Sequence, residues 1–237
     1  MSRSMRSWDW RASGMGKGSF ISPEQRSGIR ARIEPLALAM SRAGLTPNML
    51  TLIGFGIASA GGLLAAVEWW VLAGIVATVG AGFDMFDGAV ARATGQVSKI
   101  GAFMDSTFDR WGEGVVYVGI IIGSTQAGFD LGAWLAGATL VSAFMVSYTR
   151  AKSESLGFSS GTGMAAIGFA PREVRTVILG IALVGAGVFG GVSPDLFDPG
   201  SLILAAGVAL IALLATITVI QRIRFVTSQP SDPEGKS

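Results

Sequence analysis

The sequence predicts an all-α fold, a polytopic membrane protein with six transmembrane helices and an N-terminal amphipathic interfacial helix. Three observations carry that expectation. Half of the 237 residues are apolar and only 14% are charged, with a mean hydropathy of +0.55, well outside the usual range for a soluble domain. Six apolar stretches recur, each near the ~20 residues that cross about 30 Å of hydrocarbon. All 18 Lys and Arg fall in the N-terminal segment, in 92–110, in 150–175 or at the C-terminal end, and none in the alternate loops.

Residues 1–22 are rich in Ser, Gly and Arg and lack an apolar core, which predicts a disordered cytosolic tail. From Pro23 to Gly44, Arg26, Arg30, Arg32 and Arg42 alternate with Ile29, Ile33, Leu36, Leu38 and Met40, the pattern of a helix lying on the bilayer with its basic face toward anionic headgroups. The spans follow at 47–68, 70–93, 99–123, 131–155, 173–192 and 200–222, within a membrane domain covering 23–226. Residues 227–237 form a cytosolic C-terminal tail. The loops on one side carry Glu68, Asp130, Asp195 and Asp198 and no cation, so the positive-inside rule places both termini and the cation-bearing loops of this integral cell-membrane protein on the cytoplasmic side. Gly54, Gly56, Ala60 and Gly61, and likewise Gly119 and Gly123, have small-xxx-small spacing, read first as tight packing within one bundle.

The chain has no Cys and no His, which excludes disulfides, thiolate metal sites and imidazole as base or ligand. Metal binding and acid–base work fall to carboxylates, which favour hard ions such as Mg2+ or Mn2+. The basic pI reflects cations confined to one membrane side and implies no nucleic-acid partner. Asp84 and Asp87 are three residues apart, and Asp105 and Asp109 four apart, so each pair projects from one face of its helix. Carboxylates at span ends cost a few kcal/mol each near hydrocarbon and require compensation. Two facing pairs joined by a short turn through Gly95 and Gln96 make an oxygen cage for one or two divalent cations. Gly88, Ala91 and Gly101 leave room for a ligand beside it.

The run Asp84, Asp87, Gly88, Ala91, Arg92, Gly101, Asp105 and Asp109, with its fixed gaps, resembles the signature of the CDP-alcohol phosphotransferases. The amphipathic start, the six spans and Thr46-Pro47-Asn48 at the head of the first span resemble the family as well. The resemblance implies transfer of a phosphoalcohol from a CDP-linked lipid to an acceptor hydroxyl, with release of CMP. It implies Asp84, Asp87, Asp105 and Asp109 as metal ligands, two Mg2+ or Mn2+ ions, and Asp109 as the catalytic base. It further implies donor contacts from Asn48, Asp84, Gly88, Ala91, Arg92 and Gly101, and a homodimer.

A second set, Arg150, Lys152, Arg172 and Arg175, flanks one loop and is expected either to bind the phosphate of a water-soluble acceptor or to anchor the helices at the interface. The Ser147-to-Glu154 segment resembles the branch that uses inositol phosphate, the phosphatidylinositol phosphate and archaetidylinositol phosphate synthases. Ala170 stands where that branch has a basic residue before the proline. Arg222 or Arg224 adds a further candidate contact. The alternatives are the same chemistry on glycerol 3-phosphate or another acceptor and, from a different class, a divalent-cation transporter. The far halves of the spans, almost free of charge, argue against an ion path.

Overall fold

The structure, a computed structural model, describes residues 35–158, 168 and 171–229. The expectations for the N-terminal tail, the first part of the interfacial helix, most of the 157–171 loop and the tail beyond residue 229 lie outside the described residues. Among those described there is no strand. Eight helical segments follow: α1 (35–42), α2 (Pro47–Ala66), α3 (Trp70–Gly82), α4 (Asp84–Ala93), α5 (Lys99–Gln126), α6 (Asp130–Ser155), α7 (Arg172–Val188) and α8 (Pro199–Thr227).

Local chemistry explains the boundaries. Thr46 caps α2, its Oγ1 accepting from the Met49 amide at 3.3 Å, and Pro47 follows at the first helical position, where a missing N–H does no harm. Ser98 caps α5 in the same way, accepting from Gly101 N at 2.9 Å. Gly95 and Gly128 take positive φ in the turns after α4 and α5, a conformation that other residues adopt at a cost.

The apolar segment 70–93 is divided at Phe83, where Phe83 N bonds to Gly80 O at 3.2 Å and the chain makes one tight turn before α4 begins at Asp84. Its two parts still run as one stretch of 24 residues. That stretch, α2, α6 and α8 are each long and apolar enough to cross a membrane. α5 is long enough, but Lys99, Asp105, Asp109, Arg110 and Glu113 crowd its first half, and α7 has only 17 residues.

α2 is the hub, packed on α3, α4 and α5, while α7 packs on α3 and α8, and α6 on α5 and α8. The core is built of small residues with a few larger ones, chiefly Tyr117, Ile120, Leu183, Leu204, Val208 and Ile211. Backbones touch at the glycines. A Cβ on Gly61 would stand 2.7 Å from Ala77 N, one on Gly62 2.7 Å from Val115 O, and one on Gly119 would collide with Gly62 O. The small-residue spacing therefore serves packing within the bundle, except at Gly56 and Ala60, which are exposed. Large apolar side chains such as Leu63, Trp134, Val141 and Ile181 remain exposed around the outside, as expected of a lipid-facing surface. At one end Ala37 of α1, Leu50 of α2 and Val90 of α4 form a separate small cluster that docks α1 beside the acidic segment.

Candidate active site

A cleft of about 620 Å³, its open mouth included, lies between α2, α3, α5 and α7, with Asp87 of α4 at its polar end. Its lining is mixed: Gly54, Ala58, Gly80 and Gly112 give it a smooth floor, and Asp109, Glu113 and Arg172 line it as well.

Asp87 is buried, and the Thr51 hydroxyl, also buried, donates to its Oδ2 at 2.6 Å. That oxygen of Thr51 is 3.2 Å from Pro47 O as well, so its single proton is committed to the carboxylate and the α2 carbonyl is the weaker contact. A charge-assisted bond of this kind holds a buried carboxylate in one rotamer. Asp109, one helical turn after Asp105 on α5, accepts from Arg172 Nη1 at 2.5 Å across the cleft. Asp105 has its Oδ1 buried. The Asp84 side chain lies outside the described residues. Among the described side chains no three carboxylates are grouped to hold a metal ion, and those present offer oxygen donors only, which suits a hard divalent cation in kind.

Asn48 stands next to Gly101. A Cβ on Gly101 would lie in ordinary contact with Asn48 Oδ1 at 3.5 Å and tight against the capping Ser98 Oγ at 3.1 Å, so the glycine chiefly makes room for the cap of its own helix. Arg92 is exposed and folds its guanidinium back over Gly88, where a Cβ would meet Nη1 at 3.1 Å. Ala91 is half-buried on the same helix.

The cationic set is divided by the structure. Arg172 is on the cleft. Arg175 is 3% exposed and forms a bidentate pair with Glu113, Nε to Oε1 and Nη2 to Oε2, both at 2.8 Å. Arg150 pairs with its own helix neighbour Glu154 at 2.9 Å, and Lys152 is exposed. Two further arginines join them. Arg110 has Arg150 and Arg172 as electrostatic neighbours, and Arg222, buried and donating to Val146 O, has Arg150 and Arg175. The five guanidinium groups thus form one mixed cluster with Asp109, Glu113 and Glu154, in which Arg150, Arg172 and Arg175 are each paired with a carboxylate.

Sequence reasoning missed Thr51 and Glu113. Glu113 continues the i,i+4 series Asp105, Asp109 by one more turn, a signal present in the spacing; Thr51 had none beyond its position one turn after Asn48.

An apolar helical bundle with an acidic signature and a guanidinium cluster meeting at one cleft defines a class, the phosphotransferases built inside such bundles. The chain belongs to the CDP-alcohol phosphatidyltransferase family, whose profile matches residues 44–220. It is 38% identical over 203 residues to the archaetidylinositol phosphate synthase of Pyrococcus horikoshii, covering 84% of this chain and 92% of the relative. It is 33% identical over 227 residues to the phosphatidylinositol phosphate synthase of Mycobacterium tuberculosis, covering 91% and 94%. Crystal structures of the phosphatidylinositol phosphate synthase of Mycobacterium tuberculosis share the fold at a TM-score of 0.71 and 31% identity. One has CDP-DAG bound and covers 86% of this chain and 98% of that one. Another, in complex with manganese and citrate, covers 86% and 93%.

Proposed function

We propose that this chain transfers a phosphatidyl-type group from a CDP-linked lipid to a hydroxyl of inositol phosphate and releases CMP. The observation that carries the acceptor reading is the Asp109–Arg172 contact at 2.5 Å. It puts a carboxylate of the signature and a cation suited to a phosphate on one cleft wall, each about a fifth exposed. Archaetidylinositol and phosphatidylinositol phosphate synthases among the relatives support the same acceptor class.

In this reading the acceptor hydroxyl oxygen attacks the phosphorus that carries the lipid. Its proton passes to the Asp109 carboxylate. The bond from that phosphorus to the CMP oxygen breaks, and CMP leaves with the electron pair. Asp84, Asp87, Asp105 and Asp109 would hold Mg2+ or Mn2+, which when bound neutralises the pyrophosphate and the departing oxygen. Thr51 fixes the Asp87 carboxylate for that task. Asn48, Gly88, Ala91, Arg92 and Gly101 receive the donor at the heads of α2, α4 and α5. Arg172, with Arg150 and Lys152 at the rim, receives the acceptor phosphate.

The arrangement fits six membrane crossings, with α3 and α4 together forming one. Asp109 and Glu113 of α5 line the cleft, and α7, about 26 Å long by its 17 residues, is a short crossing. The termini and the cleft mouth then face the cytoplasm, the side where every cation lies.

The test is CMP release by purified protein given CDP-diacylglycerol, Mg2+ or Mn2+, and either inositol phosphate or glycerol 3-phosphate. Release with glycerol 3-phosphate alone would overturn the acceptor, and no release with either would overturn the transfer.

A further inference from the structure

The two ion pairs across the cleft are built differently, although they lie one turn apart. In the outer pair Arg172 Nη1 meets Asp109 Oδ2 at 2.5 Å, between side chains 24% and 18% exposed. The inner pair, Glu113 with Arg175, is a two-toothed fork between side chains 10% and 3% exposed. A fork fixes the separation and the rotation of both groups. Asp109 and Glu113 are four residues apart on α5, and Arg172 and Arg175 three apart on α7, so the inner fork determines which residues can meet in the outer pair.

α7 packs on α3 and α8, and its close approach to α3 comes at Gly180, whose added Cβ would collide with the Thr78 side chain. Eight residues separate Gly180 from Arg172, about 12 Å of helix, so a tilt of about 5° at that contact moves Arg172 by roughly 1 Å, enough to matter for a reacting geometry. α5, held by α2 and α6, offers α7 side chains across the cleft.

We infer that the Glu113–Arg175 fork is a strut that positions Arg172 for the acceptor phosphate, and that Arg175 is a positioning residue and not a ligand of that phosphate. The inference rests on the transfer reading above. A purely stabilising pair would be replaceable by apolar residues, since exchanging a buried ion pair for a packed apolar pair is commonly neutral or favourable to stability.

The experiment compares the parent with Glu113→Leu/Arg175→Met and with Glu113→Asp, which keeps the charge and shortens the arm. CDP-diacylglycerol serves as donor, and the acceptor is whichever of inositol phosphate and glycerol 3-phosphate gives CMP. The expected result is a thermal midpoint close to the parent's, an unchanged donor KM, and an acceptor KM raised about tenfold or more in both variants. If the apolar double variant does not fold, Glu113→Asp alone decides. A folded variant with the parent's acceptor KM overturns the strut, and so does a parallel rise in both KM values. No CMP from the parent with either acceptor overturns the transfer reading, and the strut with it.

Discussion

Arg172 Nη1 stands 2.5 Å from Asp109 Oδ2, so the carboxylate assigned to the acceptor hydroxyl is held by the guanidinium assigned to the acceptor phosphate. One arginine cannot give its best geometry to both anions at once. Arrival of a phosphate dianion at Arg172 should therefore loosen its grip on Asp109 and make that carboxylate available to the hydroxyl or to a metal ion. Arg172→Gln is expected to raise the acceptor KM while strengthening Mn2+ binding to the free protein by about tenfold, the scale of one charge-assisted hydrogen bond. Titration of Mn2+ by paramagnetic resonance checks the second effect without turnover. By reciprocity, inositol phosphate should tighten Mn2+ binding in the parent and fail to do so in the variant.

Asp109→Asn should lower kcat by about a hundredfold or more, the usual worth of a positioned base, and retain CDP-lipid binding. Asp87→Asn should lose binding and turnover together, because the cleft then lacks a carboxylate directed at the donor. Equal loss of donor binding in the two variants, measured by calorimetry, contradicts the division of roles.

Thr51→Val removes a hydroxyl at nearly constant volume and deprives the buried Asp87 of its 2.6 Å donor. Metal-dependent donor binding is expected to weaken about tenfold or more, as when a partner of a metal ligand is lost. Thr51→Ser, which restores the donor, should recover most of it.

The glycines give a contrast in stability. Gly62→Ala would bring a methyl group to 2.7 Å from Val115 O, backbone that cannot yield, and should cost about 1–3 kcal/mol with a lower thermal midpoint. Gly56→Ala, with nothing within 4 Å, should leave the midpoint unchanged or raise it slightly.

Much of this molecule is legible in its sequence because its strongest signals are local. The six apolar stretches coincide with α2, α3 plus α4, α5, α6, α7 and α8 to within a few residues at most ends, since caps such as Thr46 and Ser98 and turns at Gly95 and Gly128 are written beside them. The turn at Phe83 is only faintly written: Gly80 and Gly82 precede it, but Phe83 itself has ordinary helical dihedrals. The cation set shows where local reading ends. Spacing places Arg172 and Arg175 on one helix head alike, but which carboxylate each meets depends on α5, more than sixty residues earlier, and on the route of the chain between them. Thr51 is hidden for the same reason, its partner lying 36 residues away on another helix.

The glycine floor of the cleft has a consequence for how such an enzyme diversifies. Where Gly54 and Gly80 bring the main chains of α2 and α3 together, the separation of those helices belongs to the backbone and owes little to neighbouring side chains. In the proposed reading the acceptor cations stand at the ends of α6 and α7, outside that backbone-set frame, so a change of acceptor can fall on those helix ends while the CMP-releasing chemistry keeps its scaffold.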